Sequence, residues 1–127
     1  MLTLLSVDAV AATVTSDGPY NVTATVNTNV TLTCAIDTAD ITGKNWENWT
    51  IRWTLDRRYP PTPVTLFNGN KVNPKLSRIK VHVDEETGYS ELMLYNVQHK
   101  DAGKYWCKLI SPGRVHTVNS FTLTVIG

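Results

Sequence analysis

Apolar and polar residues alternate along several segments of the chain, and turn-forming residues separate these segments. In residues 30–36 every second position holds Val, Leu, Cys or Ile, with small residues between them. Residues 50–55 alternate in the same way, and Ile51, Trp53 and Leu55 share one side. Because successive side chains of a strand point to opposite faces of a sheet, this pattern predicts half-buried β-strands.

Turn residues divide the chain at the intervals expected of a β-sandwich. Strands are predicted at residues 8–15, 20–26, 30–36, 50–55, 64–67, 71–75, 78–83, 89–95 and 103–110, and a last strand ends in residues 121–125. Pro74 limits the segment 71–75 to an edge strand, because proline cannot donate a backbone hydrogen bond to a neighbour. The Ser-Pro-Gly-Arg sequence at residues 111–114 predicts a tight hairpin into the last strand.

Length and composition favour a single all-β domain. The chain has 127 residues, which is enough for one core and too few for two. Val, Ile and Thr fill 38 positions, and such β-branched residues suit pleated, half-buried surfaces. The formal net charge is +1, so no overall field would attract nucleic acid or an acidic membrane surface.

The start of the chain does not resemble a complete signal peptide. Residues 1–8 lack a basic region, and Asp8 interrupts their apolar run, so we expect a leader remnant or a flexible start. No run of about 18 apolar residues predicts a transmembrane helix. We therefore expect one excised domain over residues 1–127, with membrane attachment only through an anchor outside it.

Three features together resemble the variable-type (V-set) domains of the immunoglobulin superfamily. They are Cys34, Trp53 and the sequence Asp-Ala-Gly-Lys-Tyr-Trp-Cys at residues 101–107. The resemblance covers residues 9–126 and implies a two-sheet β-sandwich with Greek-key connections, strands A, B, E and D facing strands G, F, C and C′. Residues 118–122 lack the Phe/Trp-Gly-x-Gly bulge of antigen receptors, so the implied protein is a non-rearranging cell-surface receptor or adhesion molecule.

The same resemblance implies structural roles for six residues, which are Cys34, Cys107, Trp53, Tyr105, Arg78 and Asp101. The two cysteines would form the disulfide between the sheets, and the tryptophan would pack against it. The tyrosine would tie the start of strand F to nearby backbone, and the arginine would pair with the aspartate. Two free buried thiols are the alternative, although closing so long a loop would contribute about 4 kcal/mol.

Three Asn-x-Ser/Thr sequons, at Asn21, Asn29 and Asn48, agree with an extracellular glycoprotein, either secreted or at the cell surface. A disulfide would also require an oxidising compartment. Asn29 shares the parity of Thr31 and Thr33, so its glycan should cover the sheet opposite strands G, F and C. That face would then remain open.

Alternation predicts a partner-binding face on strands F and C. With Tyr105, Cys107 and Leu109 inward, the residues between them must face outward. The predicted partner-binding residues are Lys104, Trp106, Lys108 and Ile110 on strand F, and Arg52, Thr54 and Asp56 on strand C. Aromatic residues and arginine are enriched at interface cores, so we expect pairing with another V-type domain, either a second copy of this chain (a homodimer) or a different one.

Alternatives remain open for this face. Trp106 could lie flat and only cover the sheet. Lys108, with Arg52 or Arg114, could instead hold a charged glycan in a lectin-like site, or the domain could be a structural spacer within a longer ectodomain. Trp46, in the long loop before strand C, could anchor a partner or pin that loop to the sandwich.

Neither catalysis nor a cofactor is expected. His82, His99 and His116 form no pair at helical spacing, and no cysteine cluster accompanies them for a metal. The sequence also lacks a glycine-rich phosphate loop and a nucleophile elbow. The sequence therefore predicts a binding domain rather than an enzyme.

Overall fold

The computed structural model describes seven segments of the chain. The described residues are 10–12, 19–35, 50–57, 63–69, 71–84, 89–111 and 114–127. The predictions for residues 1–8, Ile36, Trp46, Asn48 and the hairpin tip 112–113 lie outside these residues, as does the side chain of Arg114.

Ten strands and one short 3-10 helix, His99–Asp101, make up the regular structure of the described residues. The strands are β1 (Val10–Ala12), β2 (Tyr20–Thr25), β3 (Val30–Ala35), β4 (Thr50–Arg57), β5 (Pro63–Asn68), β6 (Lys71–Val72), β7 (Ile79–Asp84), β8 (Tyr89–Leu94), β9 (Gly103–Ser111) and β10 (Arg114–Ile126). Most predicted strands are present, with ends that differ by one or two residues.

The strands form two sheets, which confirms the predicted sandwich. The first sheet has the order β1-β3-β8-β7, and the second has the order β2-β10-β9-β4-β5-β6. These sheets correspond to the predicted A, B, E, D and G, F, C, C′ sets, with β2 and β6 added at the two edges of the second. The first two strands join different sheets, because β1 pairs with β3 whereas β2 runs parallel to β10.

The edge strand predicted at residues 71–75 is wrong beyond Val72, where β6 ends. Asn73 turns the chain at this point. Its backbone amide donates to the Leu66 carbonyl at 2.9 Å, and its Oδ1 accepts from the Lys75 amide at 3.0 Å. The amides that an edge strand would leave open are therefore used within the turn.

Strand β4 continues two residues beyond its predicted end, to Arg57. In this extension Asp56 pairs with Lys104 and Arg57 pairs with Gly103 of β9. Gly103 has a φ of +153°, and a Cβ at this position would lie 2.5 Å from the Asp56 carbonyl oxygen. Glycine is therefore required where β9 approaches the end of β4.

The core centres on Trp53 and the disulfide. Cys34 and Cys107 are bonded across the two sheets, with their Cα atoms 6.5 Å apart, as predicted. Trp53 is fully buried, and its ring centroid lies 6.0 Å from that of Phe121. Its indole Nε1 donates to Ser90 Oγ at 3.0 Å. This hydrogen bond gives the buried indole its partner and ties β4 to β8 of the other sheet.

Arg78, Asp101 and Tyr105 form a polar cluster at one end of the sandwich. The Arg78 guanidinium donates to both carboxylate oxygens of Asp101, each at 2.9 Å. The Gln98 backbone amide donates to the same carboxylate at 2.7 Å. The Tyr105 hydroxyl donates to the Asp101 backbone carbonyl at 2.6 Å. This network links the start of β7 to the 3-10 helix and to β9.

The buried phenol of Tyr105 predicts a loss of stability at alkaline pH. Burial raises the pKa of Tyr105 above its ordinary value of 10. The folded protein therefore holds this proton more tightly than the unfolded chain, so the stabilisation is complete below pH 10 and falls as the pH rises, by about 1.4 kcal/mol per pH unit. Denaturant unfolding between about pH 8 and about pH 11 should show a constant contribution below pH 10 and this decline above it.

Tyr105→Phe is the variant that isolates this contribution, because it removes the titrating hydroxyl. Tyr89, whose pKa is raised by its hydrogen bond with Glu91, is present in both proteins and cancels from the comparison. We expect the variant to lose about 1 kcal/mol at neutral pH, through the lost hydrogen bond, and to show a shallower alkaline slope. Equal slopes in the two proteins would contradict the prediction.

Candidate functional site

The outward side chains of β10, β9 and β4 form one continuous surface, here called the outer face. Strand register arranges them in four rows: Thr122–Lys104–Asp56, Ser120–Trp106–Thr54, Thr117–Lys108–Arg52 and Val115–Ile110–Thr50. These rows contain all seven residues that were predicted for a partner-binding face on strands F and C. The register therefore brings these seven residues together on one side of the sheet.

Trp106 lies in the middle of the outer face and shields its two cross-strand neighbours. Thr54 and Ser120, which pair with it from either side, are only 9 % and 7 % exposed. The Trp106 indole Nε1 donates to Asp56 Oδ2 at 2.9 Å, so the ring leans toward β4. The prediction that Thr54 offers contact surface is wrong, because a short side chain beside an indole is shielded from solvent.

Two lysines flank the indole. Lys104 Nζ lies 4.5 Å from the centroid of the Trp106 ring, and Lys108 Nζ lies 5.7 Å from it. Each cation–π contact at an exposed site is worth about 0.5–1 kcal/mol. With the hydrogen bond to Asp56, these contacts hold the half-buried ring in one orientation on the sheet.

Val115 extends the apolar part of the outer face and was missed by the sequence analysis. It pairs with Ile110 of β9, and 63 % of it is exposed. Strict alternation counted back from the buried Phe121 would place Val115 inside. A bulge between Thr117 and Asn119 shifts the register by one residue and turns Val115 outward. Only the pairing with β9 reveals this reversal.

Arg52 and Lys108 place two cations directly opposite each other. They are register partners on β4 and β9, and Arg52 Nε donates to Asn68 Oδ1 at 3.3 Å. Like charges in this arrangement repel. Within the described part of the chain neither of them forms an ion pair. This row is the most cationic part of the outer face.

The sequon residue Asn21 lies on the outer face, beside the predicted partner-binding residues. It is exposed on β2 and pairs with Thr122, which in turn pairs with Lys104. With strands about 4.8 Å apart, Asn21 is about 10 Å from Lys104. Asn29 instead lies just before β3 of the other sheet, where its Oδ1 accepts from the Asn96 amide at 3.0 Å.

Over the residues that the structure describes, no helix has the length and hydrophobicity needed to span a bilayer. Nor do these residues include a group of three or more His, Cys, Asp or Glu side chains arranged to hold a metal ion. The outer face instead combines a half-buried indole, exposed aliphatic side chains and charges of both signs. Such a surface is suited to contact with another macromolecule.

A comparison with protein-family models assigns residues 17–126 to the model described as "Immunoglobulin V-set domain". The matched segment spans nine of the ten strands, from β2 to β10. A comparison with curated proteins found no match.

Proposed function

Since this chain belongs to the V-set family of immunoglobulin domains, we propose that it is an extracellular recognition domain whose outer face binds another V-type domain. Domains of this family are commonly protein-binding modules, and they are typically extracellular and without enzymatic activity. The partner is either a second copy of this chain or a V-type domain of another receptor or adhesion molecule. The observation that carries the proposal is the half-buried Trp106 at the centre of the outer face.

The composition of the outer face supports binding to protein. Trp106, Ile110 and Val115 supply the apolar area, and Val115 is one of only two large apolar residues that stay exposed among the described residues. Lysine, arginine and aspartate surround them. Interfaces between proteins have an apolar, aromatic-rich centre and a polar rim, and this arrangement has both.

The outer face carries Lys104, Lys108 and Arg52 beside one carboxylate, Asp56, which makes pairing between like copies feasible. Lys104 lies opposite Asp56 on the neighbouring strand, and Lys108 is nearby on β9. A two-fold interface uses the same surface twice, so the aspartate of one copy can meet a lysine of the other. An entirely cationic face would repel its own copy.

Trp106→Ala is predicted to weaken this pairing and leave the fold intact. Truncating an aromatic anchor at the centre of an interface costs about 2 kcal/mol or more, which is roughly a 30-fold loss of affinity. Sedimentation velocity across a concentration series should show a wild-type dimer shifted toward monomer in the variant. Lys80→Ala, which truncates an exposed side chain on β7 of the other sheet, is the control and should sediment like the wild type.

Two outcomes would contradict parts of this proposal. A wild type that stays monomeric at high concentration would exclude self-pairing and leave a different V-type partner. A Trp106→Ala variant that loses its near-ultraviolet circular dichroism would mean that the indole is needed for folding and would remove it as a simple contact residue.

A glycan on Asn21 is predicted to block pairing, whereas a glycan on Asn29 is not. The first would stand on the outer face about 10 Å from Lys104, and the second at the start of β3 in the other sheet. Asn21→Gln and Asn29→Gln should be produced in mammalian cells and compared with the glycosylated wild type by sedimentation.

We expect Asn21→Gln to associate more tightly than the wild type and Asn29→Gln to behave as the wild type does. Glycopeptide mass spectrometry would establish which sequons are occupied. Identical association of the two variants, with both sequons occupied in the wild type, would contradict the predicted effect.

Binding of a sialylated glycan at the Arg52–Lys108 pair is the second candidate function. Arg52 and Lys108 have no ion pair with another described residue, so an anionic group between them would relieve their repulsion, and Arg52 offers a planar fork for a carboxylate. If this is the function, Lys108→Ala should lose binding on a glycan array, and sialidase treatment of target cells should abolish binding to them. Binding to cells that survives sialidase but fails after protease treatment of the cells would favour protein recognition. A domain that binds neither the glycan array nor the cells would favour a structural spacer.

A further inference from the structure

A cavity of about 130 Å³ opens at the end of the sandwich where β4 ends and β7 begins. Residues of both sheets line it. Its buried lining residues are mostly apolar and include Leu55, Leu66, Leu94 and Tyr105. One ordered water needs on the order of 10–15 Å³ of such space, so the cavity has room for a small anion or the tip of a larger molecule.

Among the described residues that line this cavity, four cationic side chains accompany a single carboxylate. The cations are Arg57, Lys75, Arg78 and Lys100, and the carboxylate is Asp101. Asp101 is already occupied, because Arg78 donates to both of its oxygens at 2.9 Å and the Gln98 backbone amide donates to one of them at 2.7 Å. The three other cations therefore have no acidic partner in the described part of the lining, in a chain whose whole net charge is only +1.

Arg57 carries a buried donor without an acceptor. Its Nε is shielded from solvent and has no hydrogen-bond partner. Buried polar groups are almost always paired, because an unmade hydrogen bond at such a site destabilises the protein. The Arg57 cation also lies close enough to Tyr105 to oppose the rise in the pKa of that phenol, which agrees with its position at the cavity. Arg57 therefore lines the cavity without an acceptor among the described residues, and its remaining guanidinium nitrogens are the donors that can meet an acceptor from outside the chain.

We propose that this cavity binds a sulfate group of a sulfated glycan. The described lining supplies donors from arginine and lysine, and a guanidinium matches the oxygens of a tetrahedral oxyanion in a bidentate way. A second cavity, of about 530 Å³, shares Lys100 with the first and adds Lys104, and Asp56 is the carboxylate among its described lining residues. Lysines therefore line both cavities, so a chain carrying several sulfates can contact both of them, whereas a free ion contacts one.

The first cavity, which holds the proposed sulfate site, is separate from the pairing surface of the proposed function, whereas the second cavity shares Lys104 and Asp56 with the outer face. Arg57, Lys75 and Lys100 are not among the residues of the outer face, and Trp106 lines neither cavity. Loss of pairing in Trp106→Ala would leave the proposed sulfate site intact. Failure of one proposal therefore does not imply failure of the other.

Isothermal titration calorimetry with a heparin-derived oligosaccharide tests the proposal directly. The titration is repeated with the desulfated oligosaccharide, and with inorganic sulfate and inorganic phosphate at matched ionic strength. These comparisons separate the possible sources of the oxyanion. We expect the sulfated oligosaccharide to bind, its desulfated form not to bind, and each inorganic anion to bind much more weakly.

Arg57→Gln should weaken binding of the oligosaccharide about tenfold or more, since it removes a charge-assisted donor from the cavity. Lys71→Gln is the control, because it removes a positive charge from an exposed position on β6 that lines neither of these cavities, and it should have little effect. Lys100→Gln gives a second test at an exposed position, where the fold is insensitive to substitution, and should weaken binding as well.

Three results would overturn the proposal. Equal weakening by Arg57→Gln and Lys71→Gln would reveal diffuse attraction to charge rather than a cavity. Absence of binding at matched ionic strength would exclude the site. Inorganic sulfate or phosphate that binds as tightly as the oligosaccharide, and depends on Arg57, would exclude the glycan and assign the cavity to the free anion.

Discussion

The disulfide between Cys34 and Cys107 governs the direction of the side chains on the outer face. It joins β3 to β9, one strand from each sheet, so residue 107 has to point into the sandwich. Alternation then sends Trp106 and Lys108 outward. A slip of β9 by one residue would exchange the two faces, and the covalent bond, with Trp53 packed in the same core, opposes that slip.

Much of this arrangement could be predicted from sequence, because alternation is regular wherever a sheet has one buried face. Alternation could not predict that Val115 points outward, because a bulge in β10 reverses its direction. Nor could alternation predict that Thr54 is buried, because this depends on the size of its cross-strand neighbour. The cationic cavity was also beyond prediction. Its residues, from Arg57 to Lys100, are brought together by strand pairing and follow no local pattern.

Trp106 combines two roles that the sequence analysis treated as alternatives. It covers Thr54 and Ser120, and it also leaves part of its ring accessible at the centre of the outer face. A ring already held by Asp56 and two lysines has little rotamer freedom to lose when a partner binds. Such preorganisation lowers the entropic cost of association. Covering the sheet and contacting a partner are therefore compatible uses of one side chain.

The outermost strands of the sandwich give the domain a preferred mode of association. Of the four edge strands among the described residues, β1 has three residues, β6 has two, and β7 presents the exposed Lys80. Short and charged edges are poor templates for adding a strand from another molecule. Growth into fibres by edge-to-edge pairing is disfavoured at these three edges. At high local concentration, copies of the domain can then still associate through the outward face of a sheet.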